Sequence, residues 1–381
     1  LGLNKTNMVA LGVALGGMGL ALASPAAAQG KSPRAGDKIA NSYICVFNKQ
    51  DVSRGNARAE AARLNNANGG QLKRVYRNSI RGFSTNMSAT AVERMARLSP
   101  NISFCEQDQV VTTQQRGKPP KGGGGDTSPS QSTPWGIARV NGGGAGNFAT
   151  AWVIDSGIDL DHPDLNVDTS RSFNSVGRNA DDQNGHGTHV AGTIAAIDNA
   201  IGVIGVAPGA PVVAVRVLDR RGSGSTSGVI AGVDFVAANG SGGDVANMSL
   251  GGGISTALDD AVAAAAQASG VRFVIAAGNE SRDANLSSPA RVNGNGIYTI
   301  SAFAQGDVFA SFSNFGNPPV DYASPGVAVS STWKSGGYNT ISGTSMAAPH
   351  FAGILLQSGS TNDGVVSGDR DNTADVIRVV Q

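Results

Sequence analysis

Four polar residues fall where an apolar run is about to begin or end, so secondary structure can hold each side chain and still leave it free to react. Asp155 closes the run Ala151-Trp-Val-Ile and precedes Ser156-Gly157. His186 opens a helical stretch between Gly185 and Gly187. Asn279 leaves the run Val271 to Ala277 through Gly278, and Ser345 lies in Ile341-Ser-Gly-Thr-Ser-Met-Ala-Ala-Pro-His350. These residue types suit acyl transfer. A serine hydroxyl is a weak nucleophile until an imidazole accepts its proton, and the imidazole needs a carboxylate to hold its tautomer and stabilise its cation. The oxyanion that forms needs donors, which a carboxamide and a backbone N–H at a helix start would supply. Ser345 would sit at the first turn of a helix from Met346 to Leu356, where unpaired N–H groups and the helix dipole favour an anion. Pro349 is tolerable near such a start. Taken singly the signals are ordinary, since Asp and Asn are frequent in turns and Ser is a common helix cap.

The elements around these residues set the context. A chain of 381 residues can hold one large domain and a smaller one, and its net charge of +1 provides no attraction to nucleic acid or anionic membrane. Abundant glycine and few aromatics imply close backbone approach and many turns. Cys45 and Cys105 both lie in the first third, which confines any internal disulfide to the front of the chain.

Residues 1–29 read as an export signal: Lys5, an apolar run from Met8 to Leu22, and small residues at Ala26 and Ala28 that fit an A-x-A cleavage site. The run is short for a membrane span, so no membrane anchor is expected once the signal is removed. Residues 41–111 form short alternating elements: a strand Ser42–Phe47, a helix Arg54–Asn66, strands Leu72–Ile80 and Arg81–Met87, a helix starting at a capping box Thr90-Ala-Val-Glu93, and a strand Ile102–Val111. That order predicts a small α+β split-βαβ domain whose first and last strands are neighbours. Cys45 and Cys105 would then be within reach of a bridge, with two buried thiols as the alternative. Residues 112–134, with four consecutive glycines, predict a flexible joint exposed to cleavage.

From Trp135 onward, apolar strands (Thr150–Ile154, Val212–Leu218, Val245–Leu250, Val271–Ala277, Ile297–Ala302) alternate with small-residue helices (His186–Ile197, Ser227–Ala238, Ala257–Ser269). The pattern predicts an α/β, doubly wound parallel sheet covered on both faces, with ligands at the carboxyl ends of its strands.

Three segments carry a family resemblance: Val153-Ile-Asp-Ser-Gly-Ile158, His186-Gly-Thr-His-Val-Ala-Gly-Thr193 and Gly343-Thr-Ser-Met-Ala-Ala-Pro-His350. In order and spacing they resemble the signatures of subtilisin-like serine proteases, and Phe312-Ser-Asn-Phe-Gly316 resembles the proteinase K-like branch. The resemblance implies Ser345 as nucleophile, His186 as base and then acid, Asp155 as the orienter of His186, and Asn279 as oxyanion donor. It also implies substrate lying extended between Ser249-Leu250-Gly251-Gly252 and Gly222-Ser223-Gly224, with a broad preference for apolar or aromatic side chains. The segments Leu72–Phe83 and Glu106–Val111 resemble the family's inhibitory propeptide, which makes residues 41–111 an intramolecular inhibitor and 135–356 the catalytic domain. The expected protein is a monomeric, secreted endopeptidase, extracellular or periplasmic, acting on polypeptides without a cofactor for chemistry.

Phe351 stands where the family usually has Val. The tail 357–381, with Asp363, Asp369, Asp371 and Asp375, reads as a polar acidic, solvated segment. The resemblance to the proteinase K-like branch implies a structural calcium ligand at Asp321, and the Asp and Asn spacing of the tail gives a fainter hint of calcium. Among His162, His186, His189 and His350, the pair His186 and His189 would alternatively ligate zinc, but metal spacing leaves Ser345 and Asn279 unexplained. A peptide-binding relative without activity is the other alternative. An α/β-hydrolase is excluded by the order Asp, His, Ser and by Gly-Thr-Ser-Met-Ala in place of G-x-S-x-G.

Overall fold

The computed structural model describes residues 33–115, 129–371 and 373–381; residues 1–29, read above as an export signal, and most of the glycine-rich joint lie outside them. The elements of the front domain are β1 (Lys38–Phe47), α1 (Ala57–Asn68), β2 (Gln71–Tyr76), β3 (Gly82–Asn86), α2 (Ala89–Leu98) and β4 (Ile102–Thr113). The strands form an antiparallel sheet in the order β2-β3-β1-β4. Cys45 and Cys105 face each other across β1 and β4 and are joined in a disulfide. Helix α2 starts earlier than the expected capping box: Ser88 is the cap, accepting the N–H of Ala91 at 3.3 Å. The cap moves because Ser88 already offers a hydroxyl from an extended backbone, which the N-cap position favours.

The following elements are α3 (Trp135–Arg139), β5 (Ala151–Asp155), β6 (Phe173–Asn174), α4 (His186–Ala195), β7 (Val212–Arg216), β8 (Ser223–Ser225), α5 (Thr226–Asn239), β9 (Val245–Met248), β10 (Leu250–Gly251), α6 (Thr256–Ser269), β11 (Arg272–Ala276), β12 (Ile297–Ala304), β13 (Val308–Phe309), β14 (Val320–Pro325), β15 (Val329–Trp333), β16 (Gly337–Ile341), α7 (Thr344–Leu356), β17 (Ser360–Val365) and β18 (Val376–Val380). The main sheet runs β17-β18-β14-β12-β11-β9-β5-β7-β6. Its pairs are parallel from β6 to β18, while β17 and β13 join antiparallel.

The continuous apolar strands are explained by two helix layers. Successive side chains point to opposite faces. Trp152, Ile154, Val213, Val215, Phe273 and Ile275 share one apolar cluster with Val229, Val233, Leu258 and Val262 of α5 and α6. Val153, Val212, Ala214, Val274 and Ala276 share the other with Val190, Ile194, Met346 and Phe351 of α4 and α7. Phe351 is buried and stacks on Tyr322 at 4.9 Å, with Tyr298 at 5.3 Å, so two tyrosines accommodate the larger side chain behind the Ser345 helix.

The expected solvated tail is a correction. Ser360–Val365 and Val376–Val380 pair antiparallel as β17 and β18, and β18 extends the main sheet alongside β14. Val366, Ile377 and Val379 are buried with Phe303, Phe309 and Ala323, which stabilises the edge by removing apolar surface from water. The joint is also shorter than expected. Thr112 and Thr113 belong to β4, and Ser130 and Ser132 make bridges to Ile201 and Val203.

Candidate active site

The strand end of β5 delivers Asp155, and the start of α4 delivers His186. The imidazole Nδ1 lies 2.8 and 2.9 Å from the two Asp155 oxygens, with both residues fully buried. An ionised carboxylate only accepts, so Nδ1 carries the proton and Nε2 presents its lone pair. Among the described residues Nε2 has no hydrogen-bond partner, which leaves it available to accept a proton. Asp155 also accepts the N–H of Ser156 at 2.6 Å.

The entry to α4 is organised by Asp182, which the sequence reading passed over. Its carboxylate accepts the N–H groups of Asn184 (2.8 Å), Gly185 (2.9 Å) and Thr188 (3.0 Å), and the hydroxyls of Ser156 (2.9 Å) and Thr188 (2.7 Å). Ser156 in turn accepts the N–H of Gly187 at 3.0 Å. The Asp155–Ser156 corner and the His186 helix are therefore tied through one buried carboxylate. An aspartate four residues before a helical histidine was the available signal.

Ser345 is not the cap of its helix, since α7 begins one residue earlier, at Thr344, after Gly343. Pro349 lies beyond the first turn and cannot donate to the carbonyl of Ser345 four residues back. The hydroxyl of Ser249 takes that place at 2.9 Å, while Ser345 Oγ donates to the carbonyl of Ser249 at 3.0 Å. The serine hydroxyl is thus turned toward Ser249, and the hydroxyl–imidazole bond of the expected row is not formed here. Catalytic hydrogen bonds often close only with substrate in reacting position.

Asn279 is oriented by α7. Its Oδ1 accepts the N–H and hydroxyl of Thr344 at 2.9 and 3.0 Å, which turns Nδ2 toward the opposite side. A peptide carbonyl lies at the start of the same helix. The Gln114 oxygen accepts the N–H of Ser345 at 3.1 Å. A Cβ on Gly343 (φ +152°) would lie 2.4 Å from that oxygen and 3.2 Å from Asn279 Nδ2, so only glycine leaves the carbonyl room.

Gln114 arrives as the continuation of β4. Val110, Val111 and Thr112 pair antiparallel with Ser225, Gly224 and Ser223, and Thr112 and Thr113 pair with Gly251 and Leu250. Thr113 donates to Gly222 O at 3.0 Å and Gln114 to Ser249 O at 3.2 Å. The two segments expected to flank a substrate are therefore brought together, and the front domain's own strand lies between them. Gly252 borders the same strand, 3.1 Å from Val110 O to a Cβ placed on it.

Two carboxylates of β4 meet helix starts. Asp108 accepts the N–H and hydroxyl of Ser227 at 3.0 and 2.6 Å, near the start of α5. Glu106 accepts the hydroxyl of Ser255, the α6 cap, and the N–H of Ala257 at 3.4 Å. Anions are favourable at both places. Burial nevertheless pushes the Glu106 pKa up, against the bonds from Ser255 and Ala257.

The other histidines are structural. His189 Nε2 bonds the Val329 carbonyl at 3.0 Å, and burial pushes its pKa down to about 3. His350 Nδ1 bonds Met346 O at 2.7 Å, and burial lowers its pKa to about 4. His162 Nε2 bonds Gly337 O at 3.0 Å. For the zinc alternative, one ring nitrogen of each histidine of the pair is taken, His186 Nδ1 by Asp155 and His189 Nε2 by Val329. Among the described residues no cluster of three or more His, Cys, Asp or Glu gathers as a metal site. Asp321 accepts the N–H of Thr299 at 2.8 Å, and its pKa is pushed up to about 6 by burial.

Residues 150–374 match the Subtilase family. The chain is 40% identical to alkaline serine exoprotease A of Vibrio alginolyticus, covering 83% of this chain and 60% of that protein. It is 38% identical to alkaline serine protease ver112 of Corniculantispora psalliotae over 88% of this chain and 85% of the other. A crystal structure of a cold adapted subtilisin-like serine proteinase matches with TM-score 0.55 and 41% identity, covering 64% of this chain and 96% of that one. The chain belongs to the subtilase family and is a hydrolase of the serine-endopeptidase type.

Proposed function

We propose that this protein is an exported serine endopeptidase, made as a zymogen that cuts itself between Gln114 and Gln115 and then hydrolyses extended polypeptides as a monomer. One observation carries the reading. The Gln114 carbonyl rests on the Ser345 N–H at 3.1 Å while its chain is paired on both sides as a third strand, which is how a substrate would lie.

The chemistry assigned to these groups runs in two halves. The Ser345 hydroxyl turns from Ser249 to His186 Nε2 and attacks the carbonyl carbon as Nε2 takes its proton. Asp155 holds the imidazolium, and the oxyanion is met by the Ser345 N–H and Asn279 Nδ2. Collapse breaks the C–N bond, and His186 returns the proton to the departing amine. Water, losing a proton to His186, then cleaves the acyl-serine ester. No metal or organic cofactor enters the chemistry. Val111, three residues before the carbonyl, is buried in the apolar cluster that includes Leu218 and Leu250, which supports a preference for apolar side chains at that subsite. The oxidised Cys45–Cys105 pair supports an export route ending outside the cytoplasm.

The test is to express residues 29–381 beside the same chain with Ser345→Ala. The unaltered chain is expected to separate into two pieces, the second beginning at Gln115, and to digest casein. The alanine form is expected to stay whole; self-cutting at an equal rate would remove Ser345 from the mechanism.

A further inference from the structure

Four cationic side chains that the chemistry above does not use gather around one cavity of about 200 Å³. The loop between β1 and α1 contributes Lys49 and Arg54, the turn between β2 and β3 contributes Arg77 and Arg81, and Gln267 of α6 lies on the other side. Like charges brought together repel unless something of opposite sign offsets them. None of the four forms an ion pair among the described residues. Asp260 of α6 feels the charge of Lys49 yet makes no ion pair with it, and Asp51 on the same loop makes none either. The other polar side chains of the turn, Asn78 and Ser79, are already bonded to Asp234. Arg81 is the fixed member. Its Nη1 donates to the carbonyls of Lys49 and Val52, the latter at 3.1 Å, which holds the loop against the turn and leaves Nε and Nη2 without a partner. The cavity is several times the ~30 Å³ that one water takes in the liquid, so a small ion with part of its hydration fits.

We propose that this cavity is a binding site for a tetrahedral divalent oxyanion of the phosphate kind, held by Lys49, Arg54, Arg77 and the free donors of Arg81. Guanidinium forks match the oxygens of such an ion in pairs, and the ammonium adds a point charge. One ion bound there offsets the repulsion and joins the loop, the turn and Gln267, three segments from distant parts of the chain. By linkage it stabilises the folded chain as its concentration rises above the dissociation constant.

Binding does not require self-cutting, so the experiment uses the uncut Ser345→Ala chain. Inorganic phosphate at pH 7.5 is titrated into it by calorimetry, with sodium chloride at equal ionic strength as the control. Saturable binding of one phosphate per chain is expected, and none for chloride. When Arg54→Ala and Arg77→Ala are added, both at exposed side chains without partners, affinity is expected to fall about tenfold or more. Equal responses to phosphate and chloride, meaning charge screening alone, would overturn the proposal. Undiminished affinity in the variant, meaning an adventitious ion elsewhere, would overturn it as well. Hydrogen exchange gives a second readout that needs no change in the cluster. Phosphate is expected to slow exchange in the loop 48–54 relative to β11, and exchange there that phosphate leaves unaltered counts against the site.

Discussion

Removal of the disulfide measures how far the front domain depends on its covalent brace. Cys45 and Cys105 are 60 residues apart in sequence and face each other on adjacent strands. Closing a loop of that length removes about 14 cal/mol/K from the unfolded chain, which is about 4 kcal/mol at 25 °C. A domain the size of residues 33–115 has a total stability of about 4–12 kcal/mol. Cys45→Ala with Cys105→Ala, in the uncut Ser345→Ala background, therefore removes a third or more of what holds this domain folded. The assay is hydrogen exchange with mass spectrometry on peptides from β1 and β3, with β11 of the main sheet as the internal reference. Front-domain amides are expected to exchange nearly a thousandfold faster at about 4 kcal/mol lost, and β11 to stay unchanged. Acceleration below about tenfold would refute the loop-entropy reasoning, because it would mean the unfolded front segment is already restrained without the bond.

Two further outcomes follow from the site and the sheet. Asn279→Ala is expected to lower kcat by about two to three orders of magnitude with little change in KM, a scale established on subtilisin itself for one oxyanion donor; a change confined to KM would place Asn279 in ground-state binding instead. Asp375 is buried, bonded to Ser301 and to Asn317 (2.9 Å), and burial pushes its pKa up to about 6 from an ordinary 3.8. The folded state therefore holds a proton that the unfolded state has lost between about pH 4 and pH 6, so stability falls as pH rises through that window, by about 3 kcal/mol once above it. Urea unfolding of Ser345→Ala chains at pH 4 and 7.5 should show Asp375→Asn gaining about 2.4 kcal/mol relative to Asp375 on going to the higher pH, since the unfolded carboxyl is already partly ionised at pH 4; a constant difference would remove the group from the pH dependence.

The legible parts of this protein were those in which local pattern and tertiary role coincide. Strands apolar at every position announced a sheet covered twice, and Trp152 and Val153 do go to opposite helix layers. Asp155, His186, Asn279 and Ser345 stood out because each follows or opens a regular element beside glycine, where a side chain can be held at a strand end. The tail was misread because its aspartates dominate the composition, while the apolar Ile377 and Val379 announce an edge strand only when β14 is there to receive it. Pro349 was judged a matter of helix starts, yet its effect depends on Ser249, 96 residues from Ser345, being close enough to satisfy the freed carbonyl.

The amino-acid sequence by itself determined the chemical groups and the order of the strands and helices that carry them. Those properties are local, because they depend on residue type and on periods of two or about four residues. Tertiary structure alone decided which peptide carbonyl faces the Ser345 N–H, that Cys45 and Cys105 are bonded, and that Asp108 meets Ser227 near the start of α5. Each of these is a distance between segments far apart in the chain, set by how β4 comes to rest against β1, α5 and the cleft, and no local pattern encodes such a distance.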